Sequence, residues 1–337
     1  MDREPEQFKH LGFAGIFKDG FKITFSKEQS IFSKILLAFI LPFAILTMIQ
    51  LELTSYLSLK IYDNHISVND AWYDEPQHHQ FKQKLVAEWI VFLVVNIAYL
   101  LIGILVFYLF SISSTTYTVA CIYASKANSF KQVLRAATTK VWKRLAITFL
   151  WNLFIQIIYD VVASIFLAIA LALAKSNHLR ILGVILLIIL AILFIIGFVY
   201  INVIWGMASV VSVLEDSRGL RAMKRSKGLL KGKMKVAIAI FVVFQIVLIG
   251  MQVGYSVLAS IGGLGVRLGV GIVCFFVLLM MFLLGLVVET VLYIVCKSCH
   301  HEYIDQASLA DILEGNVGRY DRVEEMGKGV QLEQPTV

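Results

Sequence analysis

Hydrophobic and polar positions along this chain fall into long blocks, not short periodic segments. Uncharged apolar runs such as Ile181–Leu214 and Val236–Ile261 far exceed the about 14 apolar residues of a buried soluble helix, and they reach the about 20 needed to cross a bilayer core. Lipid offers no partner to backbone polar groups, so each run is predicted to be a helix. Strand-like alternation is absent, which argues against an outer-membrane barrel. Six spans are read at about 34–59, 85–110, 145–174, 181–204, 236–261 and 268–295. The predicted fold is all-α, a polytopic transmembrane helical bundle. It divides into an N-terminal segment (1–30), a membrane domain (31–296) and an acidic tail (297–337). The tail holds 8 acidic and 3 basic residues after His301, a composition that favours a solvated, partly disordered end. The first 30 residues are polar and mixed in charge, so no cleavable signal peptide is read and the run from Ile31 is expected to insert and stay.

Composition agrees with this reading. The chain is 59% hydrophobic and 16% charged, against about 45–50% and about 25% in soluble domains. Charge then sets orientation. Of the 30 Lys and Arg, 24 fall at or before Lys34 at the start of the first span, in 111–144, in 205–235 and after 295, and 6 fall in the alternate loops. The positive-inside rule places both termini in the cytosol, in an endomembrane or the plasma membrane. Trp89, Trp142 and Trp151 fall at span ends, the headgroup depth that Trp prefers. Pro42 is expected to kink the first span. The net charge of +7 comes from loops flanking spans, so a nucleic-acid partner is not read. Cys121, Cys274, Cys296 and Cys299 do not form a disulfide framework in such a setting.

The two basic loops resemble each other at an offset of 90 residues: Val119–Arg144 aligns with Ser209–Met234, with Phe130 against Leu220 and Arg135 against Arg225. Each follows an even-numbered span, so the duplication is parallel. Both are read as interfacial helices, about 129–143 and 218–232. The first carries Phe130, Val133, Leu134, Ala137 and Val141 on one face with Ser129 as cap. The second carries Ala222, Met223, Leu229 and Leu230 opposite the basic face, with Asp216 or Ser217 as cap. Lys131, Arg135, Arg221, Lys224, Arg225 and Lys231 are the candidate contacts to anionic headgroups of the cytosolic leaflet; the same charges also serve as topology markers. A third amphipathic stretch, Phe8 to Phe25 with Lys9, Lys18 and Lys22 interleaved, is expected to lie on the membrane.

The second loop, LEDSRGLRAMKRSKGLLKGK, resembles a motif of a broad group that includes the membrane domain attached to some glycerophosphoryl diester phosphodiesterases. Through LGFAGIFKDGFKITF, YTVACIYASK, KVWKRLAITFLW and VCKSCHHEYID, residues 11–312 resemble a plant family of six-span membrane proteins of unknown function. The resemblance implies six spans and no catalytic residue, because the phosphodiesterase barrel is a separate domain with no counterpart here.

Candidate chemistry is sparse. Asn152, Gln156, Asp160 and Ser164 recur every four residues on span three, and Glu289 lies deep in span six. A central Asp costs about 2.5–3.5 kcal/mol on insertion scales, so this stripe is either an interhelical seam or the lining of an ion or proton path. Glu52 and Glu88, near span ends, are read as solvated. Cys296 and Cys299 at the mouth of span six are candidates for palmitoylation; their CxxCH spacing is not read as haem attachment, which belongs to the opposite compartment. His65, His78 and His79 lack metal-ligand spacing. Gly250 and Gly254 form a GxxxG. No nucleophile–base pair or cofactor motif is found, so neither an enzyme nor a cofactor is expected. The reading is an endomembrane component that interacts with anionic lipid or with partner membrane proteins. A transporter using intramembrane carboxylates is the first alternative and a membrane-embedded lipid enzyme the second.

Overall fold

The computed structural model describes residues 12–25, 29–70, 75–124, 130–137, 141–176, 179–261 and 263–300. No strand occurs among them. The helices are α1 (Phe13–Thr24), α2 (Gln29–Ile35), α3 (Leu41–Asp70), α4 (Glu75–Ala98), α5 (Leu109–Tyr123), α6 (Phe130–Ala136), α7 (Trp142–Lys175), α8 (Arg180–Leu214), α9 (Leu220–Leu229), α10 (Met234–Ile261) and α11 (Leu264–Cys299). Six stretches are long and apolar enough to cross a membrane: Ser30–Val68, His78–Tyr123, Trp142–Lys175, Arg180–Leu214, Met234–Leu258 and Leu268–Cys299. They match the six expected spans, and most run beyond them, because polar residues continue the helices past the apolar core. His65 and His78, between the first two expected spans, therefore lie on the helical ends of α3 and α4. The acidic tail from His301 onward, Phe8, Lys9 and Ser129 lie outside the described residues.

Two π-helical stretches, Leu36–Ile40 and Tyr99–Tyr108, lead into α3 and α5. The first lies immediately before Pro42, where the sequence predicts a kink. Proline has no N–H for the carbonyl of Ala38, and its ring crowds that carbonyl; a wider turn just before it relieves the clash.

The chain divides into two compact units. One comprises Ser33–Ser111 and Tyr255–Phe282. Its α3–α4 pair is joined by a ladder of polar side chains. Thr47 and Tyr99 hydroxyls meet at 3.0 Å, and Gln50 Nε2 donates to Asn96 Oδ1 at 2.9 Å. Further along, Glu88 accepts from Asn64 and pairs with Lys60 at 3.4 Å. Glu52 accepts from the Tyr255 hydroxyl. Glu52 and Glu88, expected to be solvated, are thus bonded within the chain. Unpaired polar groups in lipid are costly, and these residues answer each other across helices.

The other unit comprises residues up to Phe32, Ile112–Gly254 and Leu283 onward. Its core is formed where α5, the end of α8 and the second half of α11 are buried on every side; Ala120, Val211 and Val291 are each fully buried. The expected Phe stripe of α1 does not provide its packing face. Ile16, Gly20 and Ile23 point inward, with Gly20 closely facing Val288, and Phe17 stacks on Phe244 at 5.6 Å. Phe13, Phe21 and Phe25 are exposed. α7 and α8 form a long hairpin. The backbone of Gly183 lies against that of Ala174, and Gly197 leaves room for the Tyr159 ring, whose hydroxyl donates to the Phe194 carbonyl at 2.8 Å. Away from its base, this hairpin presents apolar side chains outward, Ile165 and Ile188 among them. Gly250 and Gly254 have no atom within 4 Å of where a side chain would begin, so the GxxxG is not a packing face among the described residues.

A single methyl should separate these two kinds of glycine. Gly183→Ala meets backbone that cannot yield, and overpacking of this sort costs about 1–3 kcal/mol. Gly250→Ala should be neutral or raise stability by up to about 1 kcal/mol through helix propensity. Thermal unfolding of the purified protein in detergent measures both.

Candidate functional site

α8 ends at Leu214, and residues 215–219 turn the chain into α9. Glu215 and Asp216 stand there as an acidic pair within a basic loop, and the fold brings cations from three helices to them. The Glu215 carboxylate accepts from the Tyr293 hydroxyl at 2.8 Å and pairs with Arg225 Nε at 3.2 Å and Lys297 Nζ at 3.5 Å. Arg144 Nη1 donates to the Glu215 carbonyl at 3.4 Å and pairs with Asp216. One turn therefore fastens the start of α7, α9 and the last turns of α11. The Glu215 side chain is only 18% exposed, where charge-assisted bonds are stronger than on an open surface.

Behind this turn, Thr148 commits its proton to the Arg144 carbonyl and accepts from Ser212 and from the Gly219 N–H, both at 2.8 Å. Gly219 has φ +59°, and a Cβ there would lie 2.8 Å from Trp151 Cδ1. Only glycine meets both conditions without strain. Gly219 is the N-cap of α9, with no side-chain cap. The cap expected from Asp216 or Ser217 does not form, because Asp216 is engaged with Arg144.

Beside the turn lies a cavity of about 260 Å³ lined by Ile147, Trp151, Arg218, Gly219, Leu220 and Arg221. Arg218 and Arg221 make no hydrogen bond or ion pair among the described residues. Two guanidiniums offer forked donors that fit phosphate oxygens, and the open first turn of α9 adds its positive dipole end. Trp151 supplies an aromatic wall and is 41% exposed, the amphipathic setting of a headgroup-level Trp.

The other expected contacts divide. Lys131, Lys224 and Lys231 are exposed, and Arg135 is exposed on α6 but already has a partner. Arg225 is not free for lipid: Glu215 holds it. The apolar faces of the two loop helices also turn out otherwise. Val133, Ala137, Val141, Ala222, Leu229 and Leu230 are buried in the protein, and Ser226 bonds the Ile204 carbonyl at 2.9 Å. Tertiary packing, not lipid insertion, consumes those faces. A helix occupies each of the two basic loops, α6 at Phe130–Ala136 and α9 at Leu220–Leu229.

The structure does not assemble the expected intramembrane polar site. Asp160 is exposed on α7, bonded to Gln156 at 3.0 Å, so the stripe is neither a seam nor a lining within the described residues. Asn152 is half-buried. Glu289 lies against Gly206 of α8 instead; beside it in sequence, Thr290 meets Thr116 at 3.3 Å. Cys296 is fully buried and Cys121 nearly so, which removes Cys296 as a palmitoylation candidate, while Cys299 is half-exposed. His300 places Nε2 3.1 Å from the Leu229 carbonyl. No group of three metal-ligating residues occurs among those described. Sequence reading passed over Glu215, Arg144, Arg218, Tyr293 and Lys297; the available signal was the acidic pair set at a span end among eight basic residues in 205–235.

These helices define an all-α integral membrane protein with a basic, cavity-bearing helix at the base of its central hairpin. The chain belongs to the family described as Domain of unknown function (DUF8558), whose model matches residues 1–335. No curated protein and no solved structure matches the chain.

Glu215→Ala should remove the acceptor that Arg225, Lys297 and the Tyr293 hydroxyl share. Loss of such a shared acceptor costs about 1–3 kcal/mol, read as a lower midpoint in thermal unfolding. Glu215→Gln should recover part of the loss, because the amide oxygen still accepts from Tyr293.

Proposed function

We propose that this protein is a non-enzymatic, multi-pass endomembrane component that binds the phosphate of an anionic lipid between Arg218 and Arg221, on the cytosolic leaflet. The observation that carries this reading is the contrast between two sets of cations. Arg144, Arg225 and Lys297 are neutralised by Glu215 and Asp216, whereas Arg218 and Arg221 line a cavity without an acid. Lys224 and Lys231, exposed on and just after the same helix, extend the positive surface. Orientation follows from the 24 to 6 split of basic residues: with six crossings, both termini lie in the cytosol and α6 and α9 meet the anionic leaflet. The likeness to plant six-span proteins and to the phosphodiesterase-attached membrane domain belongs to this same reading.

The lipid arm is tested with the full chain in nanodiscs containing phosphatidic acid or a phosphoinositide, with bound lipid counted by native mass spectrometry. Each basic group at an anionic surface contributes about 1 kcal/mol, so Arg218→Gln with Arg221→Gln should weaken retention by about thirtyfold. Lys224→Gln with Lys231→Gln should weaken it less. Equal retention by wild type and the double arginine variant would remove the cavity from the reading.

Orientation is tested separately. Epitope tags at Met1 and Val337 should both be digested by protease added outside sealed microsomes; protection of either tag contradicts the proposed topology.

A further inference from the structure

Asp160 stands near the middle of α7, inside the candidate span Trp142–Lys175, and it is exposed. Its direction is fixed by its neighbour. Tyr159 turns onto α8, stacking on Phe194 at 5.5 Å and donating to the Phe194 carbonyl, so the next residue, about 100° further round the helix, faces away from the hairpin partner. One turn earlier, Gln156 Nε2 donates to Asp160 Oδ1 at 3.0 Å; one turn later, the Ser164 hydroxyl is spent on the Asp160 carbonyl at 2.7 Å. An amide carries two hydrogens and a carboxyl two oxygens. One donor of Gln156 and one oxygen of Asp160 are therefore left over, flanked by the exposed apolar side chains of Ile157 and Val161. Hydrocarbon satisfies neither. No lysine or arginine occupies the central part of any span, so the chain supplies no cation for Asp160.

We propose that the Gln156–Asp160 stripe is a self-association surface, on which a second copy of this chain docks with its own stripe. The surface carries its own complement: a spare donor and a spare acceptor one turn apart. Two copies inserted in the same orientation hold their stripes at the same depth, and a two-fold axis along the membrane normal sets one against the other. The second hydrogen of each Gln156 amide then reaches the carboxyl of the facing copy. This closes a ring of four side chains of the kind that drives helix association in membranes. A partner of another kind would have to bring a basic residue to the same depth, and nothing in this chain calls for one, since the stripe satisfies itself.

The test uses the full chain, labelled and reconstituted into liposomes over a range of protein-to-lipid ratios, with subunits counted by single-molecule photobleaching. Wild type should be dimeric, and Gln156→Leu with Asp160→Leu should lower the association constant by at least about tenfold. Asp160→Asn, whose Oδ1 still accepts from Gln156 and whose amide nitrogen can donate to the Gln156 Oε1 of the facing copy, should stay within about threefold of wild type. The leucines lie on an exposed apolar surface, so helicity and lipid retention should be unchanged, separating lost association from lost folding. In a Cys299→Ser background, Ser164→Cys should cross-link between copies on oxidation, and Val162→Cys, on the other side of α7, should not. Monomers at every ratio, dimers indifferent to the double leucine change, or preferential cross-linking at Val162→Cys would each overturn the proposal. So would a larger complex seen in native membranes but not in liposomes, which would point to a different protein carrying a basic residue.

Discussion

A bilayer core has no water, and that single fact governs how this chain disposes of its polar atoms. Backbone groups are satisfied within helices, and side-chain hydroxyls turn back on the same backbone, as Thr24, Thr118, Ser164 and Thr290 do toward the carbonyl one turn earlier. Other polar side chains are answered by a neighbouring helix. The Thr47–Tyr99, Gln50–Asn96 and Lys60–Glu88 pairs of α3 and α4 are of this kind. Ser113, Ser114 and Thr115 are buried hydroxyls without a partner among the described residues, and Asp160 meets the bilayer side. These exceptions stand out because so much else is answered.

At the base of the α7–α8 hairpin the rule is different, since charge is abundant there. Eight basic residues in 205–235 would repel one another if left alone. Glu215 takes up one of them, Arg225, and with Asp216 also holds Arg144 of α7 and Lys297 of α11, which makes a clamp on three helices. The Thr148–Gly219 bond and the positive φ of Gly219 then set the direction in which α9 leaves. Arg218 and Arg221 flank that glycine, outside the reach of the acids, so the same turn that neutralises one set of cations leaves the other set facing a cavity. Structure and proposed binding thus share a cause.

Close approach between helices depends on small residues at a few points. Gly20 against Val288, Gly183 against Ala174, Gly197 against Tyr159 and Gly206 against Glu289 each leave no room for a methyl. Association in lipid relies on such contacts because the hydrophobic effect does not distinguish a leucine from an acyl chain. GxxxG spacing alone did not locate them: Gly250 and Gly254 have the spacing and no neighbour, while the four contacting glycines are isolated in sequence.

Length and apolarity determined the spans, because an apolar run of that size has only the helix available to it in lipid, and that constraint is local. The parallel repeat is a reading of the sequence, in which Phe130, Lys131 and Arg135 fall opposite Leu220, Arg221 and Arg225. Which side of each helix meets protein was not local. Val133, Ala222 and Leu229 are equally suited to lipid and to a protein core, so their apolar faces could be seen in the sequence but not what covers them. Likewise, Arg218 and Arg225 are indistinguishable as letters seven positions apart. One is bound by Glu215 and the other is left open beside Trp151 because the turn at Gly219 and the arrival of α11 decide which cation an acid can reach, and charge pairing acts over a few ångströms of space, not over positions along a chain.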